Sequence, residues 1–251
     1  MKVKLVGSSL DGDLSRQFLT SYVIDDRLAV DAGSVGFDGS PESQERIRHV
    51  LISHSHIDHV ASLPILVDNV FKAGPRPLTI LGSPPVLESL RAHIFNDVVW
   101  PDLIRLSGGS VRLQAIADRV PFEIDGLRIL PVPVNHIVPT QGFIIADGNA
   151  SVVFASDTCP TEEIWRFANA TPNLKAVFLE VAFPDEMAGL AAASKHLTPT
   201  TFAAEVRKLD GHPRIIAVHI KPRFRATILE QLGRQGLINV EVVSPGDVYV
   251  F

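Results

Sequence analysis

Apolar positions fall in short runs separated by polar turns, and the runs carry two different periods. Residues 3–6 read as a first strand, and residues 8–15, Ser-Ser-Leu-Asp-Gly-Asp-Leu-Ser, read as a polar loop. Residues 21–24 and 28–31, with a turn at Asp25-Asp26, predict a hairpin. Residues 33–43 are rich in Gly, Ser and Pro and read as irregular, whereas residues 47–52 read as a buried strand. A helix is predicted over residues 60–70, with Pro64 tolerable near its start. A strand over 78–82 precedes a helix over 84–95, whose Val86, Leu87, Leu90 and Ile94 share one face.

The middle of the chain is strand-like: residues 111–113, 120–124, 127–134, 142–146 and 152–155, with Asp147-Gly148-Asn149 as a hairpin turn. A short helix over 161–167 has Thr158 or Thr161 as candidate cap. Residues 191–194, Ala-Ala-Ala-Ser, read as a loop of small residues. Strands are predicted over 176–181, 215–220, 240–243 and 248–251, and helices over 199–209, capped by Thr198, and 223–235. Dispersed helices, mixed strand pairing, no linker and no solenoid period predict a single domain over residues 1–251, of layered α/β type.

Composition narrows the class. With 46% hydrophobic and 20% charged residues in 251, the chain suits a globular protein with a sizeable core. Cys159 is the single cysteine, which excludes an intrachain disulfide framework. A formal net charge of -5 argues against a nonspecific nucleic-acid binder, so nucleic acid is not an expected partner. Residues 1–7 lack the apolar core of a signal peptide, and no apolar run approaches the roughly 20 residues that span a membrane. The expectation is a soluble, cytoplasmic protein with no membrane partner.

Candidate chemistry concentrates directly after the 47–52 run. Ser53-His54-Ser55-His56-Ile57-Asp58-His59 sets three imidazoles and one carboxylate within six residues. These are ligand types for zinc and its neighbours. A solvated polar loop is the alternative, but chance rarely packs ligand-type residues this densely. Three more such residues stand at or just beyond strand ends: His136, Asp157 and His219. Together the seven exceed the four ligands of one structural zinc and suit two metals sharing a carboxylate. Such pairs activate a bridging hydroxide for attack at phosphorus or a carbonyl. Two divalent ions are therefore the expected cofactors; zinc comes first, and manganese or iron also suits these ligands.

In that order, His54-Ser55-His56-Ile57-Asp58-His59, His136, Asp157 and His219 resemble the metallo-β-lactamase superfamily, as does the turn Asp31-Ala32-Gly33. The resemblance implies an αββα sandwich, two mixed β-sheets flanked by helices, with metals at one edge. It implies that His54, His56 and His136 hold one metal, that Asp58, His59 and His219 hold the other, and that Asp157 bridges. Residues 54–64, 93–101, 180–184, 196–199 and 219–222 are further similar to class II 3′,5′-cyclic-nucleotide phosphodiesterases. Ser62 stands where that signature often has glycine. The implied activity is hydrolysis of cyclic AMP or cyclic GMP to the nucleoside 5′-monophosphate. Alternatives keep the site with another phosphodiester, as in tRNA 3′-processing nucleases, or keep the fold as a non-catalytic nucleotide-binding module. A homodimer is compatible with the sequence.

Asp58 and His196 are the candidate catalytic residues. His196 fits either protonation of the leaving oxygen or a bond to a phosphoryl oxygen. Lys221, Asn96 and Phe183 are candidate substrate contacts beside His196, and Trp100 and Phe95 are further candidates for stacking on a base. Asp31 is expected to brace the cluster rather than bind metal. His49, His93 and His212 are expected to be structural or exposed, and Cys159 to be a neutral neighbour of Asp157.

Overall fold

A computed structural model describes residues 1–8, 16–71 and 77–251. The loop expected over residues 8–15 lies, beyond Ser8, outside the described residues. The first sheet contains β1 (Lys2–Leu5), β2 (Tyr22–Ile24), β3 (Leu28–Val30), β4 (His49–Leu51), β5 (Leu78–Gly82) and β6 (Val111–Ala115). The second contains β7 (Phe122–Ile124), β8 (Leu127–Pro133), β9 (Gln141–Ala146), β10 (Ser151–Phe154), β11 (Leu174–Glu180), β12 (Arg214–Val218) and β13 (Val240–Val242). The last strand, β14 (Val248–Val250), returns to the first sheet, giving the orders β14-β1-β2-β3-β4-β5-β6 and β13-β12-β11-β10-β9-β8-β7.

Each sheet is half antiparallel and half parallel. The stretch β3-β4-β5-β6 is parallel, as is β10-β11-β12-β13. Parallel strands are covered on both faces, which accounts for near-continuous apolar runs such as Leu78–Gly82, buried throughout. Alternate residues of one strand serve two cores. Phe154 and Phe178 point between the sheets, where they meet Tyr22, Leu51 and Ile145. Their neighbours Val153 and Val177 face outward onto helices.

Those helices form the outer layers. α1 (Pro41–Gln44) packs against α3 (Leu63–Val70), which lies over the first sheet with α2 (Ile57–Val60), α4 (Pro84–His93) and α5 (Leu103–Leu106). The other set comprises α6 (Glu163–Asn169), α7 (Ala188–Ser194), α8 (Pro199–Val206) and α9 (Arg225–Gly233); α6, α8 and α9 cover the second sheet. The result is the expected αββα sandwich. No helix among the described residues is long and apolar enough to cross a membrane.

Several local expectations are corrected. The helix over 60–70 is two helices: α2 starts earlier, inside the histidine cluster, and α3 restarts at Leu63. Ser62 sits at the break, where its hydroxyl donates to Ala32 O and accepts from Gly36 N. Residues 33–43 are not wholly irregular, because a 3₁₀ turn and the Ser40-capped α1 fall within them. Residues 191–194 belong to α7, in keeping with the high helix propensity of alanine. Neither Thr158 nor Thr161 caps α6, whose N-cap is Glu162. The Thr158 hydroxyl donates to Cys159 O, and Thr161 N–H donates to Glu205. Thr198 does cap α8, in a reciprocal box with Thr201.

Candidate metal centre

Ligand-type side chains collect where the parallel strands of both sheets end. The loop after β4 supplies His54 and His56, the first turn of α2 supplies Asp58 and His59, and Asp31 follows β3. From the second sheet come His136 after β8, Asp157 after β10, Glu180 at the end of β11 and His219 after β12. The carboxyl ends of parallel strands are where α/β folds place their sites. Gln141 N–H donates to Ser53 O at 3.0 Å and ties the two sheets together beside the cluster. Asp31, Ser156, Lys195 and His219 all have positive φ, between 55° and 59°. Such backbone costs roughly 1–3 kcal/mol per residue and gathers at functional sites.

Among the described residues, two four-residue donor groups share one carboxylate, and a third group, Glu180, His196 and His219, adjoins them through His219. His54, His56, His136 and Asp157 offer one ligand atom each within 4.8 Å of one another, and so do Asp58, His59, Asp157 and His219. His136 Nε2 lies 3.2 Å from His56 Nδ1, and His219 Nε2 lies 3.0 Å from Asp58 Oδ2. Asp157 sits between the groups, with His54 Nε2 at 3.7 Å, His59 Nε2 at 3.3 Å and His219 Nε2 at 3.5 Å. The Nε2 atoms of His54 and His59 are buried and make no hydrogen bond. Buried polar nitrogens are almost always bonded. Two that point unbonded at a shared carboxylate fit a pair of divalent cations.

Electrostatics agree with that fit. Burial holds His54 well below its ordinary value and lowers His56, and it takes His136 down to about 4. These imidazoles stay neutral, as metal ligands must. Burial also pulls on His59 and His219, but Asp157, helped by Asp31 and Asp58, pushes both upward. Burial raises the carboxyls of Asp58 and Asp157, and the surrounding histidines reverse it, leaving both well below the usual range. A centre that keeps its carboxylates ionised and draws protons onto two imidazoles favours positive charge.

Outer contacts fix the ring orientations. Asp31, 2% exposed, accepts from Ser53 N and Ser53 Oγ at 2.8 Å each and contacts His59 Nδ1 at 2.7 Å. Ser53 Oγ is 3.0 Å from His54 Nδ1, and the carbonyl of Lys195 is 3.0 Å from His136 Nδ1. In each case the remaining nitrogen faces the cluster, as is usual for metal-bound histidine.

His196 stands at the edge. Its ring stacks on His219 with 5.5 Å between centroids, and its Nδ1 lies 2.7 Å from Glu180 Oε1. Glu180 is buried and also accepts from Thr158 N and Leu197 N. Its part in holding His196 was missed in the sequence. The signal was present: a carboxylate closing the apolar run Ala176-Val177-Phe178-Leu179, at the end of its strand.

Other candidates divide. Phe183 lies 5.7 Å from the His196 ring, and Lys221 Nζ lies 5.3 Å from the Phe183 ring, so both border the cluster. Asn96 is not brought there. Its side chain donates to Ala92 O and accepts from Val98 N and Val99 N, beyond the far end of α4 from Ser83. Phe95 and Trp100 pack into the core under the first sheet. His49 lies at the start of β4, 3.7 Å from Asp125, and His93 and His212 are exposed. Cys159 is outside both donor groups, and burial pushes its thiol up.

Comparison with known proteins follows from this geometry. Residues 30–220 match the beta-lactamase superfamily domain. The chain belongs to that superfamily. Its members include metal-dependent hydrolases, and its fold is the sandwich described above. A "Probable 3′,5′-cyclic-nucleotide phosphodiesterase" of Yersinia pestis is 26% identical over 96% of this chain and 86% of its own length. A "Ribonuclease Z" of Mycobacterium bovis is 30% identical over 47% of each chain. Unliganded yeast PDE1 superposes with a TM-score of 0.79 at 16% identity, covering 96% of both chains, which shows a shared fold.

Proposed function

We propose that this chain is a dinuclear metal-dependent phosphodiesterase that hydrolyses 3′,5′-cyclic nucleotides to nucleoside 5′-monophosphates. The observation that carries the reading is the pair of four-donor groups sharing Asp157. His54, His56 and His136 would hold one ion, Asp58, His59 and His219 the other, and Asp157 both. Bound divalent ions supply Lewis-acid neutralisation of phosphoryl charge and a lowered water pKa.

The chain's own residues do the rest. Asp31, Ser53 and the Lys195 carbonyl hold the histidine tautomers, so nitrogen lone pairs face inward. Glu180 occupies Nδ1 of His196 and leaves Nε2 free to pass a proton to the departing 3′ oxygen. Lys221 adds a positive charge beside the Asp58 group. The Yersinia pestis relative, matched over nearly the whole chain, supports the substrate class.

The test is direct. Protein loaded with zinc, manganese or iron is incubated with cyclic AMP and cyclic GMP, and the 5′-monophosphates are quantified. Turnover that a chelator abolishes is expected; no turnover under any of the three loadings sinks the proposal. The ribonuclease Z likeness supplies a second substrate to run alongside, a precursor tRNA with a 3′ extension. The net charge of -5 predicts weak binding of it.

A further inference from the structure

Two clefts border the donor cluster, one at His136 and one at Asp58 and His219, and their linings differ in kind. The cleft beside His136 has a volume of about 450 Å³. Its polar lining includes Ser83, Asp118, Asn135 and Lys195, together with several prolines, and no phenylalanine, tyrosine or tryptophan ring. Beside Asp58 and His219 a second cleft of about 360 Å³ is lined by Phe18, Lys221, Arg223 and Phe224. That volume lies in the range of roughly 300–1,000 Å³ typical of small-molecule sites.

Two features of the second cleft suit a ligand with a flat ring and a negative charge. Phe18 is 55% exposed, although an aromatic ring gains free energy from burial. Lys221 and Arg223 form no ion pair among the described residues, in a chain whose formal net charge is -5. Lys221 Nζ lies instead over the Phe183 ring, at the border of the cluster. Apolar rings with unpaired cations, next to metal-type donors, complement a ligand with a flat π-face and a nearby negative charge.

We propose that the cleft bounded by Phe18 and Phe224 receives the nucleobase of the phosphodiester, with Lys221 and Arg223 meeting its phosphate charge. The inference rests on the phosphodiesterase reading and adds the direction in which substrate lies across the two donor groups. The base sits on the Asp58–His219 side, and the ring-free cleft by His136 is left for water. Stacking tolerates any base, so Phe18 and Phe224 set affinity for nucleotides over non-aromatic phosphates.

Calorimetric titration of metal-loaded protein with AMP and with ribose 5-phosphate tests this. Phe18→Ala should weaken AMP about tenfold and leave ribose 5-phosphate within twofold, while Phe18→Trp restores AMP. Lys221→Gln combined with Arg223→Gln should weaken both ligands together. In turnover, Phe18→Ala should raise KM for cyclic AMP more than it lowers kcat. The proposal is overturned if Phe18→Ala changes neither ligand or both equally, or if wild-type protein binds ribose 5-phosphate as tightly as AMP. Wild-type protein that hydrolyses cyclic AMP while Phe18→Ala is unaltered keeps the phosphodiesterase reading and removes the base cleft. Protein that hydrolyses neither cyclic AMP nor bis(4-nitrophenyl) phosphate removes the reading itself.

Discussion

Asp31→Asn separates a bracing role from a merely structural one, because it keeps the shape and removes one acceptor. Asp31 accepts at both oxygens: Oδ1 takes Ser53 N–H, and Oδ2 takes Ser53 Oγ–H and meets His59 Nδ1 at 2.7 Å. Asparagine has only one oxygen. If that oxygen keeps Ser53 N–H, its NH₂ faces His59 Nδ1, which must then accept. The His59 proton moves to Nε2, the atom that lies 3.3 Å from Asp157 and would bind metal. If the amide is flipped, its NH₂ faces Ser53 N–H, and a buried donor is left unpaired at a cost of about 1–3 kcal/mol. The first outcome leaves no backbone donor unpaired and is the favoured one, and it lowers metal affinity by about 10- to 100-fold, or about 1.4–2.7 kcal/mol. Competition against a chromogenic chelator measures it, and metal content after dialysis should show one ion lost before the other. An Asp31→Asn variant whose two affinities stay within twofold of wild type refutes the argument.

Gly33→Ala should damage the same loop from its other side. A Cβ there would lie 2.1 Å from Asp58 O and 2.7 Å from Thr20 N, across the Thr20 N–H bond to Asp58 O. We expect a loss of about 1–3 kcal/mol in stability and, from the shift of Asp58, about 100-fold in turnover. Gly189→Ala in α7 meets nothing within 4 Å and should raise Tm slightly. Thr198→Ala removes the cap of α8, which costs about 1 kcal/mol and lowers Tm by about 2–4 °C, with turnover unchanged. In metal-free protein, burial keeps His136 neutral down to about 4, whereas the unfolded chain takes that proton near 6.5. The unfolded state binds more protons in that window, so this contribution is complete above 6.5 and is lost as pH falls toward 4. His136→Gln should therefore flatten the fall of Tm between pH 6.5 and 4.

The layered α/β class was legible because parallel strands buried on both faces read as unbroken apolar runs, and the runs before His54, Asp157 and His219 were of that kind; the αββα arrangement was legible only through the superfamily resemblance. The donor residues were legible because each stands where such a run stops. Glu180 stands in the same way but ends its strand singly, and only the fold shows His196 returning to it after α7. The helix break at Ser62 depends on bonds to Ala32 and Gly36, about thirty residues earlier, which no local pattern carries. The local role of Asn96 was not legible for a similar reason. Its polar groups serve its own turn, a use that composition does not distinguish from ligand binding. The cleft rings were hidden because Phe18 and Phe224 are remote in sequence and meet only at the Asp58 edge.

The central claim is that one shared carboxylate joins two cation sites that together cleave a cyclic phosphodiester. Cyclic AMP turnover by metal-loaded protein, followed by ³¹P NMR while bound metal is counted, tests it most directly. The account predicts two divalent ions per chain, nucleoside 5′-monophosphate as product, and loss of both metal and turnover in Asp157→Ala. Full turnover with a single bound ion, or two bound ions with the cyclic substrate left intact, would contradict it.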